Sequence, residues 1–283
     1  MVVNLGVSGR LCYNAGMLET AIEAASEAGK LLRKNFGSQL AVDEVTHHDI
    51  KLEIDKRAQQ VITRVILADY PDHCIFGEEG VTGNQNADVR WVVDPLDGTV
   101  NYFYGIPHYA VSIAVQVRTI ASETDAATHG VVAAVPAAPS WETVAGVVLD
   151  PELDELFVSE KGKPAMLHGH PIHVSGRTEL SEAIVSIGFF RSTETINRSL
   201  EDFKHLVGRV RKVRIMGAAA LDVVYVACGR LDAYIEYGIK LWDIAAGHLI
   251  LENAGGRVES KPSADGPHAF DVRMWNGKLP LDF

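Results

Sequence analysis

The chain contains the stretch Trp91-Val92-Val93-Asp94-Pro95-Leu96-Asp97-Gly98-Thr99-Val100-Asn101-Tyr102. Its first three residues are aromatic or β-branched, which is typical of a short buried strand, and Pro95 has no N–H to donate to a neighbouring strand. We therefore predict a strand that ends at Pro95 and carries Asp94 at its C-terminal tip. Open α/β sheets bind their ligands at such tips. A turn at Gly98 then leads into a helix that begins at Thr99.

Two carboxylates, Asp94 and Asp97, are thus predicted beside the start of a helix. The first N–H groups of a helix have no partner within the helix and favour anions. Acids and an anion site are compatible if a cation lies between them, so the pattern favours a divalent metal that holds a phosphate. The alternative is that both residues are turn formers and helix caps. The rest of the chain has to distinguish the two interpretations.

The overall composition is that of an ordinary globular protein. With 283 residues, of which 47% are hydrophobic and 22% charged, the chain can form one large unit or two lobes with a shared core. The formal net charge of −11 disfavours nucleic acid and anionic membranes as partners, because a phosphate-rich surface requires a basic face. Three widely spaced cysteines predict neither a disulfide framework nor a zinc site. With no recognisable secretory signal and no membrane-spanning apolar run, we expect a cytoplasmic location.

The N-terminal part is predicted to be largely helical. Met17–Asn35 has apolar residues at helical spacing, and Asp55 is predicted to begin a second helix that ends before Pro71. Residues 40–54 between them are polar and are predicted to form a loop. Residues 118–141, rich in Ala, Thr and Pro, are predicted to form a loop or short extra strands.

Glutamates follow a second predicted strand. Cys74-Ile75-Phe76 is followed at once by Gly77-Glu78-Glu79-Gly80, which places two acids between glycines just past a strand end. This repeats the geometry predicted for Asp94, and the glycines indicate a constrained backbone. We interpret one of the two glutamates as functional. The alternative is plain surface charge.

A helix near the end of the chain carries a further acid. Residues 242–253 have apolar side chains at helical spacing, Gly255 is typical of a left-handed C-terminal cap, and Asp243 is predicted to be the N-cap. Capping alone would explain Asp243. The neighbouring Trp242 and the other acids favour the interpretation that it is a metal ligand.

These motifs, in this order and spacing, resemble the inositol monophosphatase family. The resemblance covers most of the chain, from about Leu18 to Glu259, and the set of three acidic segments is highly specific. It rests on Gly77-Glu78-Glu79, Trp91-Val92-Val93-Asp94-Pro95-Leu96-Asp97-Gly98-Thr99, Gly105-Ile106-Pro107-His108-Tyr109-Ala110-Val111-Ser112-Ile113-Ala114, Gly217-Ala218-Ala219-Ala220-Leu221-Asp222, Trp242-Asp243-Ile244-Ala245-Ala246-Gly247 and Ala254-Gly255-Gly256.

The resemblance implies a layered αβαβα sandwich of the α/β (α+β) class, the type that this family shares with fructose-1,6-bisphosphatase. It implies one phosphatase unit over residues 1–283, with an N-terminal α+β lobe of about residues 15–180 and a C-terminal α/β lobe of about residues 181–283 that share the active site. Such proteins are usually homodimers. They use Mg²⁺, two or three ions, to hydrolyse a small phosphorylated metabolite by a metal-activated water without a covalent intermediate. Inositol 1-phosphate is the favoured substrate.

The resemblance also implies roles for individual residues. The catalytic residues would be Glu78, Thr99 and Asp55, with Asp55 as the partner of Thr99 in orienting the attacking water. The metal ligands would be Glu78, Asp94, the backbone carbonyl of Leu96, Asp97 and Asp243. The substrate would contact Asp97, the amides of Gly98 and Thr99, Gly217, Ala218, Ala219, Glu236 and Asp243. Hard carboxylate oxygens are the ligands that Mg²⁺ prefers.

Three alternatives stay open. The substrate could instead be 3′-phosphoadenosine 5′-phosphate, fructose 1,6-bisphosphate or histidinol phosphate, since Ala218 stands where family members often have Ser or Thr. An aspartyl-phosphate phosphatase is disfavoured, because its nucleophile and general acid are two residues apart, whereas Asp94 and Asp97 are three apart with a proline between them. A metal-binding regulator without catalysis would keep the same ligands.

Overall fold

Helices and strands share most of the chain. The computed structural model describes residues 7–38, 42–45, 50–119, 140–189 and 192–281. Within these ranges the helices are α1 (Val7–Asn35), α2 (Glu53–Asp69), α3 (Thr99–Phe103), α4 (Thr193–Val207), α5 (Ala219–Ala227) and α6 (Leu241–Asn253). The strands are β1 (Val42–Val45), β2 (Ile50–Leu52), β3 (Cys74–Gly77), β4 (Gly80–Gly83), β5 (Val89–Asp97), β6 (Ala110–Thr119), β7 (Ser140–Asp150), β8 (Glu155–Glu160), β9 (Met166–Leu167), β10 (His170–Pro171), β11 (Ile184–Ile187), β12 (Lys212–Arg214), β13 (Ala233–Lys240), β14 (Arg257–Pro262) and β15 (Ala269–Trp275).

Two large sheets form the framework of the described residues. The first has eight strands in the order β10-β9-β8-β7-β6-β5-β3-β4, and the second has five in the order β12-β11-β13-β15-β14. Most neighbouring strands are antiparallel, but β3 runs parallel to β5, and β11 runs parallel to both of its neighbours. The strands from Cys74 to Pro171 therefore lie in the first sheet, those from Ile184 onward lie in the second, and β1 and β2 form a separate two-stranded sheet.

Helices separate and cover the two sheets. α1 and α2 pack on one face of the first sheet, α5 and α6 lie between its other face and the second sheet, and α4 packs on the outer face of the second sheet. A separate group of buried apolar residues fills each of these interfaces. Because α1, α2, α4, α5 and α6 bury apolar side chains against these sheets, the result is five alternating layers. The predicted αβαβα sandwich is confirmed.

Small residues determine how closely α1 approaches the first sheet. Ala21, Ala24 and Ala28 are fully buried, and a Cβ placed on Gly29 would lie 2.6 Å from the side chain of Leu149. A larger residue at these positions would push the helix outward. The predicted helix from Met17 to Asn35 is thus present, and it begins earlier, at Val7.

The loop predicted for residues 40–54 is wrong in part. β1 and β2 pair with each other as an antiparallel hairpin, and α2 begins at Glu53. Asp55 is therefore the third residue of α2, and its Oδ2 accepts a hydrogen bond from the Leu52 N–H at 2.9 Å. Such a backward contact stabilises the first turn of a helix. Residues 39–41 and 46–49 lie outside the described residues, as do residues 120–139 of the segment predicted as a loop or extra strands.

A buried aspartate ties the second sheet to the segment that leads into it. Asp232 is fully buried, and it accepts hydrogen bonds from Arg177 Nη1 at 2.8 Å and from the Ile184 N–H at 2.8 Å. The hydroxyl of Ser175 donates to the same carboxylate at 2.5 Å. One side chain thus accepts hydrogen bonds from three donors, of which Arg177 Nη1 also donates to the Gly229 carbonyl at 3.3 Å.

Replacing Asp232 by Ala is expected to lower the free energy of unfolding by about 3 kcal/mol, because it leaves these donors without their acceptor. For a chain of this size, that corresponds to a fall in the melting temperature of roughly 5–10 °C. Calorimetry would measure it, with Asp88→Ala as the control, since the Asp88 side chain is 86% exposed. Equal melting temperatures for the two variants would contradict the stabilising role of Asp232.

Among the described helices, none combines the length and the apolar character needed to cross a bilayer.

Candidate active site

The two aspartates of the central stretch reach the same cavity through a β-bulge. Side chains of a regular strand alternate between faces, so residues three positions apart would point in opposite directions. Asp94 pairs with Ser112 and Asp97 pairs with Ala110, so the two residues between the aspartates face a single residue of β6. Pro95 lies in this bulge, where its missing N–H removes no regular ladder bond. The prediction that the strand ends at Pro95 is therefore wrong, because β5 continues to Asp97.

Glu78 comes to this site from the neighbouring strand. It follows the end of β3, which is parallel to β5, and its N–H donates to the carbonyl of Val93 at 3.0 Å. The carboxyl ends of parallel strands meet at the same edge of a sheet. This ladder therefore places Glu78 next to Asp94, and the half-buried Glu78 lines the same cavity.

Asp243 comes from the helix layer between the sheets, in the first turn of α6. Its Oδ2 accepts a hydrogen bond from the Lys240 N–H at 3.1 Å. Lys240 is the N-cap and Asp243 is the third residue of the helix, so the predicted N-cap position of Asp243 is wrong. The Ser112 hydroxyl donates to the carbonyl of Trp242 at 3.1 Å. Because Ser112 pairs with Asp94, this contact brings the start of α6 to the bulge.

The three aspartates form one cluster. Each offers a carboxylate oxygen, and these three atoms lie within 4.8 Å of one another. Burial raises the pKa of Asp94 and of Asp243 well above the usual value, and the negative charges of the other acids, including Glu78, raise it further. Burial also raises the pKa of Asp97 to about 7, although backbone N–H groups of α5 oppose this.

This donor set fits a hard divalent cation. Carboxylate oxygens are the preferred ligands of Mg²⁺, and like charges this close together destabilise one another unless a cation lies between them. Burial is the largest cause of the raised pKa values of Asp94, Asp97 and Asp243, and neighbouring acids add to it, so all three carboxylates are costly to ionise in the protein alone. The cluster therefore has the chemistry of a metal site.

Backbone groups of α5 and of the turn at Gly98 lie beside the cluster. The Ala220 N–H donates to Asp97 Oδ2 at 2.7 Å, which orients that carboxylate from the first turn of α5. Gly98 has φ +86°, and a Cβ on it would lie 3.0 Å from the His108 carbonyl and 3.1 Å from Ala218 Cβ. Glycine is thus required at this turn both for its conformation and for the close approach of Ala218.

Thr99 and Asp55, predicted to act together, have different surroundings. Thr99 lines the cavity, and its hydroxyl donates to the Leu96 carbonyl at 2.9 Å. A carbonyl oxygen has a second lone pair, so Leu96 can still bind another group. Asp55 is 4% exposed and is not among the residues that line the cavity. Its partnership with Thr99 stays a prediction.

A cavity of about 690 Å³ lies over the cluster, between the two sheets. All other predicted site residues line it: Glu78, Asp94, Leu96, Asp97, Gly98, Thr99, Gly217, Ala218, Ala219, Glu236 and Asp243. This volume suits a small ligand.

The rest of the cavity wall combines polar and apolar groups. Burial raises the pKa of Glu236 to about 7, and the hydroxyl of Tyr234 donates to its carboxylate. Asp222 accepts from the Ser186 hydroxyl at 2.8 Å, and burial raises its pKa well above the usual value. The apolar part of the wall consists of Val100, Phe189, Ile196, Ile215 and Ile239.

Sequence reasoning did not find several of these residues. Ser112 offered a weak signal, as a polar residue inside the apolar strand from Ala110 to Val117. Phe189, Ile196 and Ile215 offered none, because each comes from a different segment and meets the others only in the folded chain.

Comparisons with known proteins agree with this geometry. The model of the inositol monophosphatase family matches residues 14–264. The Nus factor SuhB of Pseudomonas aeruginosa is 37% identical over 262 residues, which span 90% of this chain and 88% of that protein.

Solved structures show the same similarity. The inositol monophosphatase of Anabaena (Nostoc) sp. superposes with a TM-score of 0.72 at 34% identity, over 93% of this chain and 91% of that one. The extragenic suppressor protein suhB of Bartonella henselae superposes with a TM-score of 0.76 at 28% identity, over 93% of this chain and 94% of that one. With the acidic cluster, the bulge and the fold all in place, the chain belongs to the inositol monophosphatase family.

Proposed function

We propose that the protein hydrolyses a small phosphate monoester in a Mg²⁺-dependent reaction. One observation carries the proposal. Three carboxylates from two layers of the fold converge within 4.8 Å, at the base of a cavity large enough for a phosphorylated metabolite. Membership of the inositol monophosphatase family supports the same reaction class.

In this proposal Glu78, Asp94, Asp97, Asp243 and the Leu96 carbonyl hold two or three Mg²⁺ ions. When bound, these ions lower the pKa of a water molecule and neutralise charge on the phosphate and the leaving alkoxide. The β-bulge and the Ala220 N–H aim the carboxylates of Asp94 and Asp97 before the substrate arrives. Less reorganisation is then needed during the reaction.

Other groups of the chain orient the reactants. The Thr99 hydroxyl donates its proton to the Leu96 carbonyl, so its oxygen can accept a hydrogen bond from the attacking water and hold that water in line with the ester. Asp55 acts as a more distant partner of Thr99. The amides of Gly98 and Thr99 donate to the phosphate oxygens. The water attacks phosphorus directly, and the proton it loses finally resides on the leaving alcohol. No enzyme residue forms a covalent bond to phosphorus.

We favour inositol 1-phosphate as the substrate. Glu236, together with the Gly217-Ala218-Ala219 turn, faces the part of the cavity where the alcohol would lie, and a carboxyl with a pKa near 7 can both accept and donate hydrogen bonds to a polyol. The name of the Anabaena relative supports this choice. The apolar side chains of Phe189, Ile196 and Ile215 could instead contact the base of 3′-phosphoadenosine 5′-phosphate.

Phosphate release from a panel of monoesters tests the proposal. The panel contains inositol 1-phosphate, 3′-phosphoadenosine 5′-phosphate, fructose 1,6-bisphosphate and histidinol phosphate, each with Mg²⁺ and with chelator. We expect chelator-sensitive release, fastest from inositol 1-phosphate. Faster release from another ester would identify that ester, and not inositol 1-phosphate, as the preferred substrate. No release from any ester by protein that binds Mg²⁺ would favour the metal-binding regulator.

Gly188→Ala is expected to lower kcat/KM between about 10-fold and 100-fold, because a displacement of about 1 Å in an active site has effects of this size. The new Cβ would lie 1.8 Å from Glu236 Oε2 and would force that carboxyl out of place. Steady-state kinetics would measure the change. The control is Gly208→Ala, since no atom lies within 4 Å of a Cβ at that position. Unchanged kinetics in the Gly188 variant would contradict a substrate contact by Glu236.

The Pseudomonas relative is named a Nus factor, which favours a second candidate function exerted through a macromolecular partner. The formal net charge of −11 still predicts that this partner is not nucleic acid. Labelled RNA should therefore show no binding by fluorescence anisotropy at about 50 mM salt, where phosphate contacts are strongest. Binding that weakens steeply toward about 200 mM salt would contradict the prediction.

We also propose that the protein is a cytoplasmic homodimer. Among the described cysteines, Cys74 and Cys228 are free thiols, which suits a reducing compartment. Light scattering coupled to size-exclusion chromatography would measure the mass in solution, and a monomer at micromolar concentration would contradict the dimer.

A further inference from the structure

A buried glutamine contacts the turn that carries Glu78. Gln59 lies on α2, one helical turn after Asp55, and is 6% exposed. Its Oε1 accepts a hydrogen bond from the Glu79 N–H at 3.0 Å, and its Nε2 donates to the Gly80 carbonyl at 3.0 Å. Both ends of the amide are therefore used on one short segment of backbone.

The backbone of this turn fits around the glutamine. A Cβ on Gly77 would lie 2.1 Å from Gln59 Oε1, so only glycine allows this approach. Gly80 has φ +120°, a conformation that other residues rarely adopt, and it pairs with Gly77 across the turn. Glycine is thus needed on both sides of Glu78 and Glu79, at Gly77 because of the close contact with Gln59 and at Gly80 because of the backbone conformation.

Glu78 differs from Asp94 and Asp97 in the secondary structure that holds its backbone in place. Asp94 and Asp97 lie on β5, which has strands of the first sheet on both sides, whereas Glu78 lies in a two-residue turn between β3 and β4, at the edge of that sheet. β4 is the outermost strand, and all four of its residues are exposed. The sheet alone therefore constrains this turn weakly. The amide of Gln59 supplies two further constraints from a different layer of the fold.

We propose that Gln59 is a positioning residue that fixes the Glu78–Glu79 turn, so that the Glu78 carboxylate is held toward the Asp94–Asp97–Asp243 cluster. This inference rests on the proposed function, in which Glu78 is a metal ligand. Gln59 touches neither the substrate nor the metal; it acts through the backbone of residues 79 and 80.

Two variants separate the parts of this interaction, and a third is the control. Gln59→Ala removes both hydrogen bonds. Gln59→Glu keeps the acceptor for the Glu79 N–H and loses the donor to the Gly80 carbonyl. Gln60→Ala changes the next residue of the same helix, which is exposed.

The experiment titrates the 283-residue chain with Mg²⁺ alone and follows the rise in its melting temperature, a readout that needs no turnover. Groups that orient a metal ligand typically change metal affinity 10–100-fold. We expect the Mg²⁺ concentration at half of the rise to increase about tenfold in Gln59→Ala, less in Gln59→Glu, and not at all in Gln60→Ala. Turnover of inositol 1-phosphate should fall at limiting Mg²⁺ and recover in large part at saturating Mg²⁺.

A purely structural role predicts a different result. Gln59→Ala would then melt at a lower temperature at every Mg²⁺ concentration, with an unchanged half-point, and this outcome would overturn the inference. If Gln59→Ala does not fold, the same measurement on Gln59→Glu tests the inference: an increased Mg²⁺ concentration at half of the rise supports it, and an unchanged one overturns it. Failure of the unsubstituted chain to respond to Mg²⁺ would instead remove the proposed function, and the role of Gln59 with it.

Discussion

Replacing Asp94 or Asp243 by Asn is expected to lower phosphate release about 1000-fold, the upper range for loss of one charge-stabilising group from an active site. Each substitution removes a carboxylate from the cluster of three. The amide keeps an oxygen that can accept from the Leu96 N–H, in place of Asp94, or from the Lys240 N–H, in place of Asp243. The local backbone contacts should therefore survive.

The same substitutions should stabilise the protein in the absence of metal. Asp94 and Asp243 are held at a cost, because burial and neighbouring charges disfavour their ionised forms. A neutral amide of the same size avoids that cost. We expect both variants to melt at a higher temperature than the unsubstituted chain in chelator, and to gain less from added Mg²⁺.

Activity and melting temperature measured on the same samples check this pair of effects. Asp88→Asn is the matched control, since it makes the same change on a side chain that is 86% exposed. Full activity in Asp94→Asn or in Asp243→Asn would contradict the proposed mechanism. Loss of activity together with a lower melting temperature in chelator would indicate misfolding rather than loss of a ligand.

Local sequence could predict those parts of the site that depend on neighbouring residues. Asp94, Asp97, Gly98 and Thr99 fall within six consecutive positions, so the turn at Gly98 brings them together whatever the rest of the chain does. The glycine at position 255, typical of a C-terminal cap, and the polar Asp243 before an apolar run likewise indicated a helix with Asp243 near its start. Short-range order of this kind is encoded by residue type and spacing.

The bulge at Pro95 could not be predicted in this way. A proline after a short apolar run normally marks the end of a strand, and only pairing with β6 shows that β5 continues. The hairpin of β1 and β2 is a similar case. Each of these strands has four residues or fewer, and pairing with the other, rather than its own composition, makes it a strand.

Long-range polar contacts were also beyond local reasoning. Ser112 meets Trp242 across 130 positions, and Gln59 meets Glu79 across 20. Nothing in either neighbourhood specifies the partner, because these contacts arise from the packing of helices onto sheets. They contribute to where Asp243 and Glu78 lie, so the geometry of the site depends on tertiary structure even though its acidic residues are visible in the sequence.

In the absence of metal, the protein is expected to lose stability as the pH rises from 5 to 8. An unfolded aspartate has a pKa near 3.9, whereas the pKa of Asp97 in the folded protein is about 7. The folded state therefore keeps this proton over a range in which the unfolded state has lost it. Stability from this group is greatest at low pH and falls until the pH exceeds about 7.

The expected size of this effect is on the order of 3 kcal/mol between pH 5 and pH 8 for Asp97 alone, at about 1.4 kcal/mol per pH unit. It corresponds to a fall in melting temperature of roughly 5–10 °C. Asp94 and Asp243 shift in the same direction. His73 and His108 act oppositely, since burial lowers the pKa of each and disfavours the folded state in acid.

The contribution of the cluster is therefore obtained as a difference between proteins. The melting temperature is measured in chelator at pH 5 and at pH 8, for the unsubstituted chain and for Asp97→Asn. The histidines contribute equally to the change in both proteins, so the difference between the two changes gives the contribution of the cluster. The unsubstituted chain should fall more steeply than the variant, and saturating Mg²⁺ should remove the excess, because a carboxylate that binds a cation no longer takes up the proton. Equal slopes in chelator would mean that the aspartates are ionised without metal and that no electrostatic cost is stored there. Charge repulsion would then no longer support Mg²⁺ binding, and the metal site would rest on the geometry of its oxygens alone.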